Sequence, residues 1–239
     1  MSDKRAWINP CGFDIEDGKC IKKRRHSLKE NIPNMENIEN TINAILEQLE
    51  DLKKIMISMF NVNEDTLSVH EYSFLNPPKG MENTYVCAFH ILQVNAMAVE
   101  EMVKELKSQS DKKFETYRTR LNEIKEKLIP LLCNVQLILK SEGLSYIDVT
   151  EDKMSEPFKN KKGSFKIEKH FIAFRQIRNN MKYLSEEFKK IKSTPKEELK
   201  LQSGTPKEEL KFQNGTSKEE LKLQNGTQKD ELKLQNGAS

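Results

Sequence analysis

Glycine and proline are scarce, nine and eight among 239 residues, and tryptophan occurs once. A chain so poor in turn-forming residues suits a helical protein. No apolar run of 18 or more residues exists, so neither a transmembrane helix nor membrane insertion is expected. The N-terminal residues contain no apolar stretch of signal-peptide type. That fits an intracellular protein, or a mature secreted form carrying an added Met. An excess of one charge is lacking too: 40 Lys+Arg against 37 Asp+Glu leave +3, which names no nucleic-acid or membrane partner. Also missing are a phosphate loop, Gly-x-Ser-x-Gly and His-Glu-x-x-His. His26, His70, His90 and His170 are scattered, and Glu168-Lys169-His170 has the wrong spacing for a di-iron bundle. No enzymatic activity, metal or cofactor is therefore expected.

What the chain does have is helical periodicity. Ile167, Phe171, Phe174, Ile177, Met181, Leu184, Phe188 and Ile191 recur at steps of three and four, one stripe of an α-helix. Lys169, Arg175, Arg178, Lys182, Lys189 and Lys190 lie between them, predicting a basic outer face. Three more stripes precede it. Pro33 opens the first helix, with Asn31 or Asn34 as cap, and Met35, Ile38, Ile42, Ile45, Leu49, Leu52, Met56 and Met59 carry it to about Phe60. The second, about 83–107, turns Val86, Phe89, Leu92, Ala96, Val99, Val103 and Leu106 inward. The third carries Phe114, Tyr117, Leu121, Ile124, Leu128, Leu131, Val135 and Ile138, with Pro130 expected to kink or divide it and Gly143 to end it.

The connections are long, short, long: 61–82, 108–111 and 143–164. A loop of four residues forces antiparallel neighbours. Connections of about 20 residues can span more than 40 Å and so travel the length of a helix. The expected fold is thus an all-α four-helix bundle running up-up-down-down, with long crossovers after the first and third helices. It occupies residues 31–192, behind a cysteine-containing arm at 1–30.

Residues 194–237 are four repeats of eleven, beginning Thr194, Thr205, Thr216 and Thr227. Each has a helix-sized body, but about eight residues are too few to hold a helix in water. Leu199 and Leu201 do not share a helical face, so residues 193–239 read as a disordered tail. The internal Lys229-Asp230-Glu231-Leu232 follows from the repeat and is not a C-terminal retention signal. Asn214-Gly215-Thr216 and Asn225-Gly226-Thr227 are glycosylation sequons at Asn214 and Asn225. In the arm, Lys22, Lys23, Arg24 and Arg25 form a cluster that reads as a processing site, a heparin-type polysaccharide patch, a nuclear signal or a solvated linker. Cys11, Cys20, Cys87 and Cys133 allow two disulfides in three connectivities, or four reduced thiols.

Over about residues 7–192 this pattern resembles the long-chain helical cytokines, in particular the leukaemia inhibitory factor and oncostatin type and the insect unpaired ligands. The likeness is carried by the arm with Cys11 and Cys20 before the first helix, by Cys133 in the third, and by the basic-faced fourth helix. It implies that Cys133 is the kind of partner the arm has, and it implies secretion, a single-pass cell-surface cytokine receptor and JAK/STAT-type signalling through receptor-associated kinases. Some relatives carry Phe-x-x-Lys near the start of the fourth helix as a receptor contact. Here Phe165 precedes Lys169 by four, and Phe158 precedes Lys161 by three but lies before the amphipathic run. The receptor-binding residues implied are Phe165, Lys169, Phe158 and Lys161, with Arg175, Arg178 and Lys182 on the basic face. The alternatives are an intracellular helical-bundle or coiled-coil adaptor, which would self-associate, and a secreted structural or antigenic protein acting through its tail.

Overall fold

The computed structural model describes residues 5–8, 10–11, 15–16, 19–20, 33–61, 71–107, 109, 111–150, 153–159 and 167–193. They form an all-α bundle of four long helices: α1 Met35–Phe60, α2 Thr84–Lys107, α3 Lys113–Ser141 and, after the short α4 Glu156–Lys159, α5 Ile167–Ser193. In the arm, Ile15–Glu16 (β1) pairs antiparallel with Lys19–Cys20 (β2), with Ile15 opposite Cys20. The repeat tail lies outside the described residues.

Asn34 caps α1, its side-chain oxygen accepting from the Glu36 amide at 3.0 Å, and Asn61 closes it in the left-handed conformation (φ 49°). Ile38, Ile42, Ile45, Leu49, Leu52 and Met56 are buried. Each such side chain contributes about 1.5–3 kcal/mol. Met35 and Met59, the ends of the predicted stripe, are only partly covered.

Asn83 starts α2 by accepting from the Tyr85 and Val86 amides at 3.0 and 3.2 Å. The inward face predicted for α2 is too narrow. Every residue from Ile91 through Val99 is buried, including Gln93 and Asn95. This helix is wrapped on all sides, and a helix apolar all round belongs in a core. Among the described helices α2 alone is long and apolar enough to cross a membrane by length and composition, but 78% of its most apolar window is buried inside the protein.

α3 runs unbroken through Pro130. Pro130 and Glu126, the residue whose carbonyl loses its partner, are both exposed, while Leu128, Leu131 and Leu132 on either side are buried. Packing across the proline therefore keeps the helix whole. Past its end, Gly143 takes φ 67°. Its amide bonds the Lys140 carbonyl at 3.3 Å and the Leu144 amide reaches the Leu139 carbonyl at 2.9 Å, a Schellman stop.

α1 packs against α3 and α5, and α2 packs against the same two. Which ends meet is set by specific pairs. Lys192 of α5 bonds Glu39 of α1 at 3.1 Å, and Arg178 bonds Glu50 at 3.2 Å. Phe60 at the end of α1 meets Phe114 and Tyr117 at the start of α3. Lys125 of α3 pairs with Glu100 of α2 at 3.2 Å. Lys169 at the start of α5 meets Glu105 near the end of α2, and Tyr85 meets Phe188 at the other end.

A disulfide joins Cys11 to Cys133 across 122 residues, and it fixes an arm whose Trp7 is fully buried in the core. The expectation of a second disulfide fails at Cys87, which is a free, buried thiol. It sits within α2, where burial pushes the thiol up and a Tyr183 hydrogen bond partly offsets that. The side chain of Cys20 is not among those described.

Candidate functional site

The start of α5 is where the resemblance puts receptor contacts, and two ionisable side chains are buried there, Lys169 and His170. Lys169 is 8% exposed and His170 is 0% exposed. Lys169 Nζ donates to Glu105 Oε2 at 2.6 Å, and His170 Nε2 lies 3.0 Å from the same oxygen. The Tyr117 hydroxyl is 3.0 Å from His170 Nδ1. Three helices thus supply one cluster: α2 gives Glu105, α3 gives Tyr117, and α5 gives Lys169 and His170.

Protonation in the cluster follows from burial. Desolvation holds the His170 imidazole below its ordinary range, against the opposing pull of Glu105. Burial also acts to raise the Glu105 carboxyl, but hydrogen bonds from His170 and Lys169 outweigh it and keep the group below its usual range. Burial and the Glu105 charge push the Tyr117 hydroxyl up. A carboxylate only accepts, so a neutral His170 must carry its proton on Nε2. Nδ1 is then the acceptor for Tyr117 O–H. Glu105 and Lys169 balance in charge, and His170 is neutral.

Above this cluster the two long connections meet. The Lys169 ammonium lies 4.9 Å from the centre of the Phe158 ring. Phe158, on α4, packs against Tyr72 and Phe74 at 4.9 and 5.1 Å between ring centres. Tyr72 precedes the short 3₁₀ turn Ser73–Leu75 of the first connection, and Phe74 is its middle residue.

Buried amides on the helices fasten both connections. Gln176 accepts from the Tyr72 amide at 2.8 Å, donates to the Tyr72 carbonyl at 3.1 Å and reaches Asn76 at 3.0 Å. Asn180 donates to the Leu75 carbonyl at 2.8 Å and to Asn95 at 2.9 Å. On the other flank, Gln93 donates to Asp148 at 3.0 Å and to the Trp7 carbonyl at 3.4 Å, and accepts from the Val149 amide at 3.2 Å. Sequence reasoning missed Glu105, Tyr117, Gln93, Asn95, Gln176 and Asn180 as a set. The available signal was amide side chains standing inside apolar helical stretches.

The predicted receptor contacts therefore separate. Phe158 is 0% exposed and Lys169 is tied to Glu105, so neither is presented at the surface as expected. Phe158 packs against Tyr72 and Phe74, and its ring lies over Lys169. Arg178 is spent on Glu50, and Arg175 is half-buried. Lys182 is exposed and edges a shallow groove with Leu46, Glu47, Glu50, Asp51 and Lys54 of α1. Phe165, Lys161, the basic cluster Lys22, Lys23, Arg24 and Arg25, and the sequons at Asn214 and Asn225 lie outside the described residues.

No protein-family description, curated protein or solved structure matches the chain.

Proposed function

We propose that the chain is a secreted helical ligand of cytokine type, which binds a cell-surface receptor through exposed helix faces and signals through receptor-associated kinases. The observation that carries this reading is which helices pack together. Both α1 and α2 pack against α3 and against α5, in opposite senses, so that helices consecutive across each long connection sit diagonally. An up-up-down-down bundle with two overhand crossovers accounts for that arrangement, and a simple up-down-up-down bundle does not. The Cys11–Cys133 disulfide adds support, because such cross-links persist in oxidising compartments. It also weighs against the intracellular adaptor. Secretion would bring Asn214 and Asn225 within reach of glycosylation, and Lys22, Lys23, Arg24 and Arg25 within reach of heparin-like polysaccharide.

A binding role is preferred to a catalytic one because Glu105, His170 and Tyr117 satisfy one another inside the core. With Phe158 and Lys169 buried, the receptor-facing residues we assign are Lys182, which edges the α1 groove, and the half-buried Arg175 on the same helix. The test is saturable binding of labelled, oxidised full-length protein to intact cells of the source organism. Saturable binding that falls at least tenfold in Arg175→Glu/Lys182→Glu supports the reading. Unchanged binding in that variant removes this face from it, and no saturable binding on any cell type removes the ligand reading.

A further inference from the structure

The arm ahead of the bundle is joined to it covalently at Cys11–Cys133. Both cysteines are half-buried, so the bond lies within reach of a reductant in solution. Cys87 is poorly placed to attack it from within. That thiol is buried, and burial keeps it protonated, whereas disulfide exchange needs a thiolate.

The non-covalent hold on the arm is slight. Trp7 is fully buried, but Ala6 and Ile8 on either side of it are exposed. The Ile8 amide bonds back to the Arg5 carbonyl at 3.0 Å, a tie within the arm itself. Arg5 makes a further interaction at the half-buried edge of the arm, and ties at such sites contribute little. The Trp7 carbonyl meets Gln93 at 3.4 Å, beyond the usual hydrogen-bond length. The indole N–H has no hydrogen-bond partner among the described residues. One buried indole is a large apolar contribution, but its unmatched donor subtracts from it. Ordering the backbone from Arg5 to Cys11 costs entropy at every residue. The disulfide removes much of that cost by fixing Cys11 on α3. The bundle does not lean on the arm in the same way. Its long helices pack on one another directly, and Gln93 keeps its bonds to Asp148 and Val149 when Trp7 leaves.

We infer that Cys11–Cys133 is a redox latch: its reduction frees the arm, withdraws Trp7 from the core and uncovers the apolar surface that Trp7 fills, while the bundle stays folded. The reductant is a dithiol. One of its thiolates attacks a sulfur of the bond and forms a mixed disulfide, and its second thiol closes on the first. Two electrons and two protons pass to Cys11 and Cys133, which become thiols, and the dithiol becomes a cyclic disulfide. Reoxidation reverses the step. The inference rests on the Cys11–Cys133 bond and not on the receptor reading.

Trp7 is the chain's one tryptophan, so its fluorescence reads the latch directly. The test is a dithiothreitol titration of oxidised full-length protein at neutral pH, following Trp7 emission, acrylamide quenching, far-UV circular dichroism and the number of alkylatable thiols. As Cys11 and Cys133 become alkylatable, the latch predicts emission at longer wavelength and quenching raised about fivefold by local release, with helical signal retained. Removal of the reductant under oxidising conditions restores the starting emission. Cys20→Ser/Cys87→Ser responds as the native protein does, and Cys11→Ser shows the shifted emission without reductant. Trp7 emission that stays unchanged after Cys11 and Cys133 are both reduced overturns the proposal. So does loss of the helical signal together with the emission shift, or a response that disappears in Cys20→Ser/Cys87→Ser. Should Cys11→Ser fail to fold, the titration of the native protein decides by itself.

Discussion

At the scale of single residues, the instructive one is Lys169. Its position between apolar stripe residues predicts a basic, solvated side chain, yet it is buried against Glu105, 64 residues away in sequence. Helical periodicity reports the side of α5 that faces α1 and α2. It does not report the flank covered by the 71–76 and 153–159 segments, which buries Lys169, Gln176 and Asn180, nor the placing of His170 against Glu105 of α2 and Tyr117 of α3. No local signal links Glu105 to His170, since pairing across helices depends on the final packing. The account predicts that Glu105→Gln is far more costly than a surface change, because it leaves the Lys169 ammonium buried without its charge partner. Breaking a buried pair in this way costs roughly 3–5 kcal/mol, measurable as a lower denaturant midpoint at pH 7.5. A loss below about 1 kcal/mol would mean that Lys169 escapes to water without penalty.

At the scale of elements, the four helices were legible and their boundaries came within a few residues, because 26-, 24-, 29- and 27-residue helices carry several turns of repeated pattern. α2 was legible as a helix but not as the central one. Its run from Ile91 to Val99 is nearly continuous in apolar residues, and that, rather than a stripe, is what full enclosure looks like. The behaviour of α3 at Pro130 was not legible, since the proline's local cost was set against flanking leucines whose burial only the assembled bundle reveals. Proline in a helix interior costs about 3 kcal/mol relative to alanine. Pro130→Ala restores the amide facing the Glu126 carbonyl at an exposed site, so we expect stabilisation of roughly 1–3 kcal/mol and a higher Tm. An unchanged or lowered Tm would show that the helix is already relaxed around the proline.

At the scale of the whole molecule, four amphipathic stretches and the connections between them made an all-α bundle legible. A short link between α2 and α3 and long ones elsewhere pointed to a bundle of four long amphipathic helices, and an all-α bundle of four long helices is what forms. Cysteine spacing left the pairings open, while the resemblance pointed to Cys133 as the arm's partner, and Cys11–Cys133 is the pair that forms. Two features decide it in the fold: Trp7 is drawn into the core, bringing Cys11 to α3, and Cys87 lies within the enclosed α2. Closing a loop of this size stabilises by about 4–5 kcal/mol in the chain-entropy account, so the covalent link matters to the bundle as well as to the arm.

The most direct test of an extracellular helical ligand is a non-reducing peptide map of the protein from its natural source, alkylated first in the native state and again after unfolding. We predict a Cys11 peptide cross-linked to Cys133, with Cys87 labelled only after unfolding. Native-state labelling of both Cys11 and Cys133 would show reduced thiols, and would contradict both the pinned arm and the secreted ligand built upon it.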